Sequence, residues 1–404
     1  MTFTVHGACA SGYGRLADLL AERLATGREV GASIGVYRNG QPVVEIWGGH
    51  ADRNRRRPWT VTTVTPLAST TKALATAAVL LLVDRGHLDL DRPVADYWPA
   101  FATAGKGEIT TALVLAHRSG VAALDTAISN DDAAELDPIL RAIEAQRPAW
   151  PPGSRHGYHA LTYGFILSGI VRAITGRTIG KYFADEIAGP WRLDLHLGLA
   201  ADEHDRVAPM IGPTGRGAVR ALLTPMWLPY SVQLLCKKSL AYRATFGGSA
   251  AGFDDTAELT RYEVEDPSAG GVGTGPALAR LFAALGGPVG GTRLVSADLM
   301  NRSRISHASG RDQVLRMRTD WGLGFALPGG PMVPAFGVPG VFGHTGASGS
   351  IGFADPDHQF AFGYTPNYWG ELYGRGRTSF RFTGYIEAAY AAAGIRRWPA
   401  QQTW

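Results

Sequence analysis

Hydrophobic residues near the N-terminus recur first at helical spacing and then at strand spacing. Four leucines predict an amphipathic helix over Gly14–Ala25. Residues 32–47 then form two alternating runs, and Asn39 and Gly40 between them tolerate the positive φ angles of a tight hairpin turn. The chain is therefore predicted to begin with a helix followed by a β-hairpin.

Helical periodicity dominates the middle of the chain, and strand patterns return towards its end. The predicted helices of the middle region span 69–86, 110–117, 134–146, 161–176, 179–187 and 275–285. Strands are predicted between Trp321 and Tyr364, at 352–356 and 360–364, and a closing helix is predicted at 377–393.

This order of elements predicts a sheet assembled from both ends of the chain. We expect one α+β domain over 1–404, in which 1–65 and 305–404 form an antiparallel sheet flanked by N- and C-terminal helices. Residues 66–304 are expected to form a large, mainly helical lobe. The cleft between the two lobes is the expected active site.

Composition places the chain among ordinary globular proteins. Its 404 residues are 45% hydrophobic and 18% charged, and its formal net charge is +4. The only tight basic cluster, Arg53 with Arg55–Arg57, has no interleaved aromatic residues, which argues against nucleic-acid binding. Cys9 and Cys236 are expected to be free thiols. No secretory signal or membrane-spanning run is recognised, so a cytoplasmic location without membrane association is expected.

The tetrad Ser69, Thr70, Thr71, Lys72 opens an apolar helical run. Residues three apart share a helix face, with Cβ atoms about 5–6 Å apart, so the Lys72 amine can reach the Ser69 hydroxyl. A serine needs a neighbouring base to become a nucleophile, and a lysine becomes that base when burial lowers its pKa. The uncharged run 73–83 favours such burial. Ser69 is predicted to be an activated nucleophile.

Two later segments supply possible partners for Ser69. Tyr158 lies between a Pro-Pro-Gly turn and an apolar helix, where its phenol can project into a cleft. With Lys72 nearby, the pKa of Tyr158 is expected to fall, so that the phenol relays protons. Residues 343–350 form a strand of small residues on which the Ala347 amide can face the Ser69 amide. Two such donors make an oxyanion hole, and losing one costs about 2.7–4 kcal/mol of transition-state stabilisation.

In this order, these segments resemble the serine β-lactamase and penicillin-binding-protein superfamily. The likeness is greatest to class C β-lactamase-like carboxylesterases, called family VIII, and to related acyltransferases. It runs from the N-terminal helix and hairpin through Ser69, Lys72, residues 115–121 and Tyr158 to the strand that begins at Gly343. The resemblance implies a β-lactamase-like fold, a small-molecule ester or acyl substrate, and no metal or organic cofactor.

The resemblance also assigns roles. Ser69 would be the acylated nucleophile, Lys72 its base and Tyr158 the proton relay for leaving group and incoming water or alcohol. The implied substrate-binding residues of the small-residue strand are His344, Thr345 and Gly346. Trp321 is predicted to begin a strand and to line the cleft.

The sequence departs from the family pattern at two positions. His344 stands where lysine is usual, and a histidine is mostly neutral near pH 7, so it holds a β-lactam carboxylate poorly. Ala160 replaces the asparagine that usually follows the tyrosine by two positions. Both departures favour ester chemistry over β-lactam hydrolysis.

The resulting hypothesis is a serine hydrolase that cleaves carboxylic esters through a Ser69 acyl-enzyme. One alternative is an acyltransferase using an alcohol or amine acceptor, in which the apolar segment 209–249 docks an acyl carrier or thioester donor. That segment, which includes Trp227, Tyr230 and Phe246, is otherwise a flap lining an acyl pocket or a core-packing excursion. Further alternatives are a D-amino-acid peptidase, a peptide cyclase, a weak β-lactamase, or a non-catalytic binding module.

Two other residues resemble catalytic groups. Ser33 lies in a G-x-S-x-G pattern, but that motif requires a strand-turn-helix elbow, and Ser33 falls inside a predicted strand. His117 has no acidic partner that the sequence identifies. Both are predicted to be structural, His117 by satisfying buried backbone groups.

Overall fold

A six-stranded antiparallel sheet combines strands from both ends of the chain, as predicted. The computed structural model describes residues 4–212, 228–246, 260–328, 338–369 and 381–395. The strands of this sheet in chain order are β1 (Val5–Cys9), β2 (Gly31–Arg38), β3 (Gln41–Gly49), β9 (Phe342–Thr345), β10 (Ile351–Asp355) and β11 (Phe360–Pro366). Their order across the sheet is β1-β3-β2-β11-β10-β9, so β9 lies at one edge.

Among the described residues, five further strands of two to four residues lie outside this sheet. They are β4 (Thr65–Pro66), β5 (Leu195–His196) and β6 (Val272–Gly273), which pair with one another, and the hairpin β7 (Ala308–Arg311) and β8 (Arg318–Trp321).

The helices carry the remaining regular structure. In chain order they are α1 (Gly14–Ala25), α2 (Thr71–Asp84), α3 (Thr111–Leu115), α4 (Asn130–Glu135), α5 (Asp137–Ala145), α6 (Thr162–Thr175), α7 (Ile179–Phe183), α8 (Leu228–Leu234), α9 (Leu240–Phe246), α10 (Thr260–Glu263), α11 (Gly275–Gly286), α12 (Ala297–Ser303) and α13 (Thr383–Ala392). Short 3-10 turns occur at Ala68–Thr70, Val94–Asp96, Pro99–Gly105, Ala201–Arg206 and Pro356–His358. Among the described helices, none is long and apolar enough to span a bilayer.

The predicted hairpin is present. Asn39 and Gly40 have φ angles of 52° and 71°, the positive pair that a two-residue turn between twisted antiparallel strands requires. The sequence pattern did not predict the strand β1. This strand pairs with β3 and lies at the edge of the sheet opposite β9. Its residues are mostly exposed, so they lack the alternating apolar pattern that marks a strand.

Helix α11 lies directly on the sheet because three strand positions are glycine. A Cβ atom at Gly35 would lie 2.5 Å from Cα of Pro276, and one at Gly363 would lie 2.2 Å from the carbonyl oxygen of Gly275. At Gly352 it would meet the ring of Phe282. This placement corrects the assignment of 275–285 to the helical lobe: α11 covers one face of the sheet, and its helical pattern alone could not show which lobe it covers.

The opposite face of the sheet is covered by the C-terminal helix. Tyr364 and Phe353 neighbour the glycines in β11 and β10, so they point to the other face. There Tyr364 contacts Tyr385 and Phe353 contacts Tyr390, both in α13, with ring centroids 5.3 and 6.0 Å apart.

Three predicted helices differ most from the structure, while 110–117 and 161–176 are shortened to Thr111–Leu115 and Thr162–Thr175. The 69–86 helix begins at Thr71, after a 3-10 turn that contains Ser69. The 134–146 segment is two helices, because Leu136 takes a φ of 63° and interrupts the α-helical path. The 179–187 helix is α-helical only to Phe183 and continues as a π-helical turn. Of the closing 377–393 helix, the part before residue 381 lies outside the described residues.

The close contact at Gly35 gives a stability prediction. We expect Gly35→Ala to lower the free energy of unfolding by about 1–3 kcal/mol, because the added methyl group must push α11 away from the sheet. Urea unfolding measures the change. Gly107→Ala is the control, since a Cβ there has no atom within 4 Å; a loss of stability as large as that of Gly35→Ala would contradict the packing explanation.

Candidate active site

Ser69 lies at the start of a buried helix, on a strained turn. Ala68 before it has a φ of 45°, a left-handed conformation that is unfavourable for a residue with a side chain. Ala68, Thr70, Thr71 and Lys72 are buried, whereas Ser69 is partly exposed. The turn therefore presents the serine hydroxyl at the surface of an otherwise buried segment. Backbone strain of this kind is typical of functional sites.

Lys72 lies one turn further on and is fully buried. Its Nζ donates hydrogen bonds to the carbonyl oxygens of Ala160, at 2.7 Å, and Ser268, at 2.9 Å. Burial lowers the pKa of Lys72 to about 7, and Asp266 opposes this fall. A neutral amine has two N–H bonds and one lone pair. The two carbonyls accept both N–H bonds, which leaves the lone pair for a proton from a neighbour such as Ser69, three residues away at the junction of the 3-10 turn and α2.

A second buried lysine shows a different arrangement. The amine of Lys106 donates to three carbonyl oxygens, those of Thr103, Glu144 and Gln146, at 2.7, 2.7 and 2.8 Å. All three N–H bonds of a charged ammonium are therefore used, and no position remains for proton exchange with a substrate. Lys106 holds loop ends together, whereas Lys72 has one position open.

Tyr158 lies against Lys72, whose Nζ is 4.9 Å from the centre of the phenol ring. The expected fall in the pKa of Tyr158 is wrong: burial raises it above its usual range, and the Ser69 hydroxyl only partly opposes the rise. Desolvation outweighs the lysine, which is itself close to neutral. Among the described residues, the buried Tyr158 Oη neither donates nor accepts a hydrogen bond of ordinary geometry. Tyr158 is thus a protonated phenol with its hydroxyl available.

The edge strand β9 faces the serine turn, and glycine permits their close approach. A Cβ atom at Gly346 would lie 2.1 Å from the carbonyl oxygen of Leu67. A hydroxyl bridge joins the same two segments: Ser350 Oγ donates to Leu67 O at 2.7 Å and lies 2.8 Å from Thr70 Oγ1. Ser348 Oγ donates to Ser350 Oγ at 3.1 Å. These hydroxyls hold the turn at 346–350 against the turn that carries Ser69.

The bridge places the two predicted oxyanion donors on neighbouring turns. Ala347 is exposed between the buried residues Gly346 and Ser348, and Ser69 is partly exposed opposite them. Within the part of the chain that the structure describes, neither the Ser69 nor the Ala347 amide donates a hydrogen bond. Both amides are therefore available to a ligand oxygen. Thr70 and Ser350, which hold this arrangement, were not singled out from the sequence, because their hydroxyls meet across 280 residues.

His344 is buried beside Tyr158, with ring centroids 6.3 Å apart. Burial lowers the pKa of His344 to about 3, so the imidazole is neutral, as the sequence indicated. Its Nδ1 lies 2.8 Å from the carbonyl oxygen of Thr345, which can only accept, so Nδ1 carries the hydrogen. Nε2 is then an acceptor, and it has no partner among the described residues.

Trp321 supports Tyr158 from behind. It ends β8 rather than beginning a strand, and it is fully buried. Its ring stacks on that of Tyr158, with centroids 5.4 Å and planes 11° apart. That Trp321 lines the cleft remains a prediction; the contact that the structure gives is with the Tyr158 ring.

Ser33 and His117 have structural roles, as predicted. Ser33 Oγ lies 2.8 Å from Thr365 Oγ1 in the neighbouring strand and accepts a hydrogen bond from the Gly275 amide at 2.9 Å. His117 Nδ1 accepts a hydrogen bond from the buried amide of His159 at 3.2 Å.

Position 160 contributes its backbone to the site. Its carbonyl oxygen holds Lys72, so the missing asparagine side chain leaves this contact intact. The second carbonyl comes from Ser268, which the sequence reading missed because nothing in its local pattern marks it. Ser268 is tied to α6 by a hydrogen bond from the Gly164 amide to its Oγ, at 2.8 Å.

The apolar segment 209–249 is described only in part; Met226, Trp227 and residues 247–249 lie outside the described residues. The helices α8 and α9 pack together, and Tyr230 Oη lies 2.6 Å from Thr245 Oγ1. Tyr230 adds to the rise in the pKa of Tyr158, so α8 lies near that tyrosine. Among the described residues, no group of three or more His, Cys, Asp or Glu side chains could hold a metal ion.

The Beta-lactamase family profile matches residues 16–381, which include every residue of this site. The chain belongs to the β-lactamase family. The esterase/β-lactamase LipL of Mycobacterium tuberculosis is 35% identical over 351 residues, which are 83% of this chain and 77% of LipL.

Solved structures of this family share the fold. The structure of a family VIII carboxylesterase is 33% identical, with a TM-score of 0.83, and the match covers 96% of this chain and 100% of that one. A penicillin-binding protein homologue from Caulobacter crescentus is 35% identical, with a TM-score of 0.79 and the same coverage. This β-lactamase-family chain is therefore an enzyme of the serine hydrolase superfamily with a β-lactamase-like fold, as the sequence indicated.

The hydroxyl bridge between the two turns can be measured by a double-mutant cycle. We expect Thr70→Val and Ser350→Ala to be coupled by about 0.5–1.5 kcal/mol in the free energy of unfolding, because each change removes one partner of the same buried hydrogen bond. The control cycle combines Thr70→Val with Ser303→Ala, whose hydroxyl bonds within α12, and should be additive. Additivity in the first cycle would show that the bridge does not hold the turns together.

Proposed function

We propose that this enzyme hydrolyses carboxylic esters through an acyl-enzyme on Ser69. The observation that carries the proposal is the buried Lys72 amine, whose two carbonyl partners leave its lone pair open, three residues along the chain from Ser69. A pKa of about 7 makes this amine an effective base near neutral pH. An exposed lysine lacks this lowered pKa and is charged near neutral pH.

The proposed reaction begins when Ser69 Oγ attacks the ester carbonyl carbon and its proton passes to Lys72 Nζ. The amides of Ser69 and Ala347 hold the oxyanion that forms. When the carbon–oxygen bond breaks, the leaving alkoxide takes a proton from the Tyr158 phenol, which the lysine restores. Lys72 then takes a proton from water as the water attacks the acyl-enzyme. The bond between Ser69 Oγ and the acyl carbon breaks, Oγ regains the proton, and the acid is released. The raised pKa of Tyr158 suits this role, since the phenol stays protonated until a strongly basic alkoxide forms.

Neutral esters are the proposed substrates. His344 is uncharged and offers only an acceptor at Nε2, so this strand supplies no cation for a substrate carboxylate. The named relatives support the choice: LipL is called an esterase/β-lactamase, and one similar structure is a family VIII carboxylesterase. Thr345 and Gly346 would line the substrate carbonyl beside Ala347.

Replacing the nucleophile tests the proposal. Ser69→Ala should lower kcat/KM for a short-chain aryl ester by at least about a thousandfold, because the neighbouring hydroxyls of Thr70 and Ser350 are buried and already hydrogen-bonded. A serine-directed phosphonate should add to the wild-type chain at Ser69 only, as seen by intact mass and peptide mapping.

Ser33→Ala is the matched control, since Ser33 lies in the competing G-x-S-x-G pattern and bonds within the sheet. It should keep its activity per folded molecule. Near wild-type turnover by Ser69→Ala would refute the assignment. Adding alcohols to the assay also shows whether water or an alcohol takes the acyl group.

The pKa of Lys72 predicts the pH dependence of activity. Neutral Lys72 is the active base, so kcat/KM should fall about tenfold for each pH unit below about 7 and stay level above it. A stable ester assayed from about pH 5 to about pH 9 measures this profile. A flat profile across that range would mean that Lys72 does not take the proton.

A further inference from the structure

The loop that carries Tyr158 is anchored to a buried carboxylate outside the proposed catalytic set. Asp312 follows β7 and has no exposed surface. Both of its oxygens accept from the Tyr158 amide, at 3.1 and 3.0 Å. Oδ1 also accepts from the amides of Val314 and Leu315, each at 2.8 Å. One side chain thus closes its own turn and holds the backbone of the tyrosine.

The same carboxylate reaches the ring that supports Tyr158. Asp312 Oδ2 accepts a hydrogen bond from Thr319 Oγ1 at 3.3 Å. Thr319 Oγ1 in turn accepts from Trp321 Nε1 at 3.1 Å and lies 2.9 Å from His156 Nε2. Trp321 stacks on the Tyr158 ring. Asp312 therefore holds the backbone of Tyr158 directly. It also acts on the Tyr158 ring indirectly, because Thr319 links it to the indole of Trp321, which stacks on that ring.

A carboxylate without contact to water is costly to bury unless hydrogen bonds compensate its charge. Among the described residues, no lysine or arginine forms an ion pair with Asp312, and backbone amides and one hydroxyl donate to it. Burial raises the pKa of Asp312, and these amides together with the nearby His156 partly oppose the rise. Such donors are fixed in direction, unlike a flexible cationic side chain. The hydrogen bonds to Asp312 therefore fix the position of the loop that carries Tyr158.

Tyr158 needs such support because its own hydroxyl is weakly held. The buried Oη forms no hydrogen bond of ordinary geometry among the described residues, and the Ser69 hydroxyl nearby lowers the pKa of Tyr158 only in part, so the position of the phenol depends mainly on the backbone and on the stacked ring. We propose that Asp312 is a positioning residue that, with Thr319, holds the Tyr158 phenol at the leaving-group side of the site. The inference rests on the proposed function, in which Tyr158 gives a proton to the departing alkoxide.

A misplaced proton donor has a specific consequence. Phenolates leave without protonation, whereas alkoxides of simple alcohols need it. Loss of the donor should therefore slow hydrolysis of an alkyl ester more than that of a p-nitrophenyl ester with the same acyl group. General acid catalysis contributes about 10²–10⁴-fold, and small displacements of a catalytic group remove a large part of such a contribution.

The experiment compares kcat and KM on these two esters for wild type, Tyr158→Phe and Asp312→Asn. An amide at position 312 keeps one acceptor oxygen but puts an NH2 donor where Thr319 donates. We expect Tyr158→Phe to lose at least about a hundredfold more kcat/KM, which reports the acylation step, on the alkyl ester than on the p-nitrophenyl ester. Asp312→Asn should show the same bias, at least about tenfold, with a smaller change in KM.

Asp355→Asn is the matched control. Asp355 is equally buried and is bonded to His358 at the end of β10 furthest from Ser350, so its loss should produce no bias between the esters. If Asp312→Asn fails to fold, Thr319→Val and Thr319→Ser replace it: the first removes the hydroxyl and should show the bias, and the second keeps the hydroxyl and should restore the wild-type ratio.

The failures are distinguishable. A bias in Tyr158→Phe without one in Asp312→Asn or Thr319→Val would overturn the positioning role and leave the proposed mechanism intact. No bias in Tyr158→Phe would overturn Tyr158 as the proton donor, and this inference with it. If the phosphonate forms no covalent adduct with Ser69 of the wild-type enzyme, the proposed function itself is refuted.

Discussion

Keeping the Lys72 amine away from water is the constraint on which the site depends. A charged ammonium in an apolar interior is strongly unfavourable, so the folded protein favours the neutral form. That preference has to be maintained by neighbours that accept its N–H bonds without adding a full negative charge beside it. Two backbone carbonyls, from Ala160 and Ser268, meet this requirement, because they are dipoles and not anions. A carboxylate in their place would raise the pKa of Lys72 and leave the amine charged near neutral pH.

The same constraint explains why the site is assembled from distant segments. The helix that carries Lys72 is buried on nearly all sides, so its neighbours must come from elsewhere in the chain. One carbonyl comes from the loop that carries Tyr158, and the other comes from the turn before β6. The edge strand β9 completes the site, held to the serine turn by the hydroxyls of Thr70 and Ser350. Glycines at 35, 352 and 363 let α11 pack closely on the sheet to which β9 belongs.

Burial also decides the protonation of the other groups. Tyr158 and His344 are both buried. Burial raises the pKa of Tyr158 and lowers the pKa of His344, and both groups are therefore neutral near pH 7, because burial disfavours the charged form of each. A site made of a neutral amine, a protonated phenol and a neutral imidazole suits a neutral substrate whose charge develops only during reaction. Family membership alone does not decide this, since relatives of similar identity are named as an esterase/β-lactamase and as a penicillin-binding protein homologue.

The sequence by itself determined the elements and the chemical candidates. Local periodicity predicted the hairpin, the buried helix after Ser69 and the assembly of the sheet from both ends, and i to i+3 spacing paired Ser69 with Lys72. It could not predict that Asp312 and Thr319 hold Tyr158, that Ser268 accepts from Lys72, or that Trp321 lies behind the tyrosine. It also gave the wrong direction for the Tyr158 pKa. Those properties depend on contacts between residues far apart in the chain and on how much water remains around each group, and only the tertiary structure decides either.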